Sequence, residues 1–203
     1  MKALATSLYV LCVFLGSSLF AEAPSTIKDS VTGVTFPRQV SFAFGGQDIN
    51  LQLTGLATRK EGAENLYSVA HYMKAADDVA AYDPVGSILD DSRAKQLTLK
   101  WVKTLPTGTV QKNFKVAFDK DLTADDQKKL QPEISQFLSF FDHDVKNGDE
   151  YVIRWLPGGF IMAYINNVYI GVIENDAFAK AVWEIWFGKN SVVDRDSLIT
   201  LMH

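Results

Sequence analysis

Apolar and polar residues alternate through much of the first half of the chain. Between Asn50 and Lys60, Leu51, Leu53, Gly55, Ala57 and Arg59 fall on one side, and Asn50, Gln52, Thr54 and Thr58 on the other. That two-residue period predicts a half-buried strand. Val40 to Phe44 predicts a shorter strand before it, joined through a Gly45-Gly46 turn. Further strands are expected from Asn65 to Met73 and from Gln96 to Lys103, the latter with Leu97, Leu99 and Trp101 on one face. Three more follow between Glu150 and Glu174. Pro157-Gly158-Gly159 separates the first pair and Asn166-Asn167 the second, both of them hairpin signals.

Helical spacing takes over elsewhere. Thr123 is an N-cap followed by the acidic first turn of Asp125 and Asp126, and Leu130, Ile134, Phe137, Leu138 and Phe141 repeat at helical intervals. Pro132 must kink or split this helix, because it removes a backbone donor. A terminal helix with Phe178, Val182, Ile185 and Trp186 on its buried face closes at Gly188, behind Glu174 and Asn175 as its cap. Short helices are expected at Pro84 to Asp91 and Asp196 to Met202, while residues 24 to 33 read as a loose polar arm. With strands in antiparallel meanders and helices in separate blocks, the class is α+β, helices packed on one sheet face.

The first 23 residues read differently. Lys2, the apolar run Leu4 to Phe20 and the small-x-small site Ala21-Glu22-Ala23 before Pro24 have the form of a secretory signal peptide. The alternative is an uncleaved anchor, for which the run is short of the roughly 20 residues a span needs. Leu11 stands before Cys12 where a lipidation signal wants a small residue. The expectation is a periplasmic or secreted protein with one domain over residues 24–203 and no membrane span after cleavage. Cys12 is the only cysteine and falls in the leader, so that domain has no disulfide and must be held by its core. A chain 47% hydrophobic and 12% aromatic suits this. The net charge of -4, without a basic run, argues against nucleic acid as a partner.

Arg59 is the candidate for chemistry. A guanidinium on the apolar side of a strand is costly unless it meets an anion or several acceptors. With a three-residue loop at Gly62-Ala63-Glu64, Arg59 would stand opposite Tyr67, Cβ atoms about 5 Å apart, as a cation and a phenol suited to a carboxylate or enolate. The alternative is an arginine that reaches solvent or pairs with Glu61 or Glu64. His71 shares strand parity with Tyr67 and is either an acid–base group of the same cleft or a packed core histidine. Asp142-His143-Asp144 reads as a solvated helix end, and Gly158-Gly159 as a hairpin with no P-loop lysine after it. Three histidines and no spaced ligand set predict no metal site and no cofactor.

The run from Val172 to Asn190, bracketed by Val172-Ile173-Glu174-Asn175 and Gly188-Lys189-Asn190, resembles the corresponding segment of the chalcone isomerase family. Gly55 to Tyr72 and Gln96 to Gly108 resemble it too. The resemblance implies an open antiparallel sheet with a helical layer on one face and a ligand cleft between them. It implies that Arg59 lines the cleft, as the matching arginine does in the isomerases and in the related fatty-acid-binding proteins. Tyr67 stands where isomerases have threonine and fatty-acid binders tyrosine. Gln111 stands where isomerases carry a tyrosine after the segment matched by Leu105-Pro106-Thr107-Gly108, and Ile185 where they carry serine or threonine. Trp186 would flank the pocket.

Three functions follow as expectations. The first is binding of a small hydrophobic carboxylate such as a fatty acid, with Arg59 and Tyr67 on the head group and the tail against Leu53, Leu99, Trp101 and Trp186. The second is an isomerase acting on an enone or flavonoid-like phenol, with Arg59 as the catalytic electrophile. The third is a structural or partner-binding module.

Overall fold

The computed structural model describes residues 25–74, 83–89 and 93–202. The expected leader at residues 1–23, the end of the expected 84–91 helix and His203 lie outside them. Among the described residues the strands are β1 (Thr26–Lys28), β2 (Thr35–Pro37), β3 (Gln39–Phe44), β4 (Gln47–Glu61), β5 (Glu64–Met73), β6 (Lys95–Trp101), β7 (Glu150–Leu156), β8 (Phe160–Ile165) and β9 (Val168–Glu174). The helices there are α1 (Pro84–Ile88), α2 (Thr107–Asp121), α3 (Ala124–Lys129), α4 (Gln131–Ser139) and α5 (Asp176–Phe187), followed by a 3-10 turn at Asp196–Ile199. Strands β3 to β9 form one antiparallel sheet in chain order, and β1 pairs with β2 in a separate ribbon.

The meander follows from its turns. Gly45 and Gly46 at φ 59° and 76°, and Asn166 and Asn167 at φ 50° and 66°, take the left-handed backbone that tight hairpins require. The helical layer sits over one face of the sheet. There Leu97, Leu99, Ile153, Trp155 and Ile161 meet Phe114, Phe137, Val182 and Trp186 in the main core. Thr123 caps α3 by accepting the Asp126 amide, and the chain breaks at Leu130 so that Pro132 falls in the first turn of α4. Asn175 caps α5 by accepting the Phe178 amide.

Three local expectations change. Helix α2 has no counterpart in the sequence reading. Its buried residues Val110, Phe114, Ala117 and Phe118 do recur at helical spacing. Its first amide and hydroxyl at Thr107, however, are capped by Asp144, far away in sequence and brought near by the Leu105–Val145 bridge. The cap is tertiary, so no local signal marked it.

The described part of the expected arm, from residue 25, carries β1 and leads into β2, and the ribbon the two strands form covers the other sheet face. Phe36 enters a second core with Leu51, Leu53, Ala70, Tyr72 and Leu156. Asp29 pins the ribbon down, its carboxylate accepting from Ser68 at 2.5 Å, Thr58 at 2.7 Å and Thr32 at 3.0 Å.

Strand β4 changes side partway along. Leu53 faces Tyr72 while Gly55 faces His71, so one extra residue is accommodated at Thr54. A single inserted residue reverses side-chain parity. Leu51 and Leu53 therefore belong to the ribbon-side core, and Ala57 and Arg59 to the helix side. At the bulge Gly55 lies against the backbone of Ser197 and Leu198, where a Cβ has no room. Thr54 donates to the Leu198 carbonyl at 2.7 Å and accepts the Leu201 amide on its own carbonyl.

Candidate functional site

Arg59 and Tyr67 are cross-strand partners. The route to that register is a two-residue turn at Gly62-Ala63 between Glu61 and Glu64, with Lys60 opposite Asn65 and Leu66 left over as a bulge. A short turn plus one bulged residue gives the same pairing as the expected three-residue loop. Behind the pair, on the opposite face, Thr58 stands across from Ser68 and both donate to Asp29. The backbone that carries Arg59 and Tyr67 is thus fixed from its reverse side.

These two residues open onto a narrow cleft that encloses about 20 Å³. Its sheet side is Tyr67 and Trp101, with Leu66 at the edge. Helix α2 contributes Val110, Asn113, Phe114 and Ala117, and α5 contributes Ile185. Val192, on the segment after α5, completes the rim.

The Arg59 guanidinium donates to the Val192 carbonyl at 2.8 Å. Among the described residues no carboxylate forms an ion pair with it; Glu64 is engaged by Lys103 instead. Tyr67 is buried, and its oxygen accepts the Trp186 indole N–H at 3.3 Å. Burial pushes the phenol up to about 12, against the opposing pull of the Arg59 charge and the Trp186 hydrogen bond. It therefore stays protonated at neutral pH, and its own O–H has no acceptor among the described residues. Trp101, its ring 4.8 Å from that of Tyr67, buries an indole N–H that likewise has no partner there. An unmatched buried donor costs about 1–3 kcal/mol.

The other expected site residues divide. Ile185 lines the cleft as apolar wall. Trp186 stands behind Tyr67 as its hydrogen-bond donor and is fully buried. His71 is not at the cleft. Its Nε2 accepts the Trp183 indole N–H at 3.3 Å, which leaves Nδ1 to donate to Thr54 Oγ1 at 2.6 Å. Burial first, and the Lys95 charge second, push it down to about 3, so it is a neutral packing residue. Gln111 is also elsewhere, donating to the carbonyls of Leu138 and Phe141 and tying α2 to the end of α4. Leu53 is on the other sheet face, and Leu99 is sealed in the core. Asn113 and Phe114 were missed with α2, although Val110, Phe114 and Phe118 carry a readable four-residue spacing. Nothing local marked the Val192 carbonyl.

The arrangement presents donors and apolar walls, which suits holding an anion more than moving a proton. Among the described residues there is no cluster of three or more metal-ligating side chains, and no helix is long and apolar enough to cross a membrane.

Comparison with known proteins adds the family. The profile of the chalcone isomerase-like family matches residues 28–198. No curated protein matches the chain by sequence. Among solved structures, a fatty-acid binding protein of Arabidopsis thaliana is similar with a TM-score of 0.68 and 13% identity, over 87% of this chain and 96% of that one.

Proposed function

We propose, from the fact that this chain belongs to the chalcone isomerase-like family and from the geometry of its cleft, that it binds a small hydrophobic carboxylate. The observation that carries this reading is the Arg59 guanidinium, which has a backbone carbonyl but no carboxylate of the chain's own as partner among the described residues. A carboxylate at the rim would accept from Arg59 and from the Tyr67 hydroxyl, two charge-assisted hydrogen bonds in a low-dielectric setting. The apolar part would contact Trp101, Phe114 and Ile185. The fold neighbour from Arabidopsis thaliana is a fatty-acid binding protein, which supports a ligand of this class. The leader read at residues 1–23 makes export part of the proposal.

An isomerase reading is less supported. Gln111 is turned toward α4 and Ile185 has no hydroxyl, so the two positions that the family resemblance assigns to orienting an enone do not serve that end.

The test is calorimetric titration of the purified protein with octanoate, alongside the variants Arg59→Gln and Arg59→Lys. Saturable one-to-one binding is expected. Arg59→Gln should weaken it by about tenfold or more, in keeping with loss of a charge-assisted hydrogen bond. Arg59→Lys should lose less, since it keeps the charge without the planar fork. Binding of equal strength in the Gln variant would overturn the assignment.

A further inference from the structure

The cleft ends against packed rings, and that limits what fits in it. Inward of Phe114 its ring stacks on Phe141 with centroids 4.7 Å apart, and Phe137 meets Phe141 edge-on at 5.1 Å. Trp186 behind Tyr67 and Leu99 beneath are without exposed surface. Interiors packed in this way have no voids for a threading chain. Leu53, expected to meet a tail, is separated from the cleft by the sheet itself. The enclosed space is only about 20 Å³, far short of the roughly 300 to 1,000 Å³ of ligand pockets, so an occupant has to be small and to part the walls on entry.

Resting on the carboxylate-binding reading, we infer that the occupant is a compact acid of arylalkanoate size rather than a long-chain fatty acid. With its head group on Arg59 and Tyr67, the body of the ligand lies between Trp101 and Phe114. Both are aromatic residues of the lining, and Trp101 already meets Tyr67 edge to face. An aryl group continues that pattern, because rings gain from edge-to-face contact beyond the area they bury. Methylene groups beyond the reach of these walls extend through the mouth into water and gain nothing there.

Titration of the full domain with 3-phenylpropanoate, octanoate, hexadecanoate below its micelle concentration, and neutral 3-phenylpropanol tests this. The expected order places 3-phenylpropanoate at or above octanoate, with no gain from octanoate to hexadecanoate. Were those methylenes buried, each would strengthen binding about fourfold. Phe114→Ala, which lengthens the cleft, should shift the preference toward hexadecanoate by about tenfold. Should that variant fail to fold, the wild-type series decides alone. Hexadecanoate binding about tenfold or more tighter than 3-phenylpropanoate in wild type overturns the compact occupant and leaves carboxylate binding standing. Failure of all three acids, or equal binding of the alcohol, overturns both.

Discussion

Trp186 donates its indole N–H to the Tyr67 oxygen at 3.3 Å. With that lone pair engaged from α5, the phenol keeps its own O–H for another acceptor. Tyr67→Phe should therefore act twice. It removes the donor to the ligand, and it leaves the buried Trp186 N–H without an acceptor. Stability should fall by about 1–3 kcal/mol and octanoate affinity by about tenfold. Urea denaturation and calorimetry read the two effects separately. Unchanged affinity with lowered stability would reduce Tyr67 to a packing residue.

Asp29 predicts an acid-sensitive ribbon. Burial works to raise its carboxyl, but hydrogen bonds from Ser68, the Val31 amide, Thr58 and Thr32 outweigh it and hold the group below its usual value of 3.8. The folded value lies under the unfolded one, so the contribution is present above the unfolded value and lost as pH falls through the folded value. Asp29→Ala should cost about 2 kcal/mol or more near neutrality. That deficit should stay flat down to about pH 5 and shrink below about pH 4. Denaturation curves of both proteins across this range give the answer; a deficit that grows on acidification contradicts it.

His71 makes a different pH signature. It is held near 3 in the folded protein against an ordinary 6.5, so the unfolded chain takes up a proton that the folded one refuses. Stability should fall as pH drops below the unfolded value, with a slope approaching about 1.4 kcal/mol per pH unit until the folded value is reached. His71→Gln should be less stable at pH 7 yet lose close to one proton's worth of that slope. Ligand affinity should change little, since His71 is away from the cleft. A variant with the wild-type slope would show that the buried histidine is not its source.

Gly55→Ala should detach the C-terminal segment. A methyl group there runs into the Ser197 and Leu198 backbone, which is held by Thr54 and cannot simply withdraw. A loss of about 1–3 kcal/mol, typical of overpacking, is expected. Limited proteolysis should cut near the 3-10 turn in the variant before the wild type. Equal protease resistance would show that the segment yields without cost.

Much of this was legible along the chain, and the parts that were not have identifiable reasons. Hairpin positions at Gly45-Gly46 and Asn166-Asn167 could be read because their backbone angles are local requirements. The Arg59–Tyr67 pairing came out right although the turn is shorter than expected, since the Leu66 bulge restores the lost residue. Bulges have no sequence signature of their own, and the second one, at Thr54, moved Leu51 and Leu53 to the face opposite the one their alternation suggested. Helix α2 escaped because its cap, Asp144, comes from a distant loop. The ribbon escaped because, besides its neighbours Val31 and Thr32, Asp29 is held by Thr58 on β4 and Ser68 on β5, far along the chain. In each case the deciding contact spans a sequence distance that periodicity does not register.

The parity change in β4 gives the molecule two hydrophobic compartments divided by a wall of backbone. One adjoins the cleft; the other, around Phe36, Leu51, Tyr72 and Leu156, does not. Protein engineering thus has a whole layer to repack for hardiness with the binding preference left alone. Selection acting on recognition would, by the same division, leave its record mainly in α2 and the segment that follows α5.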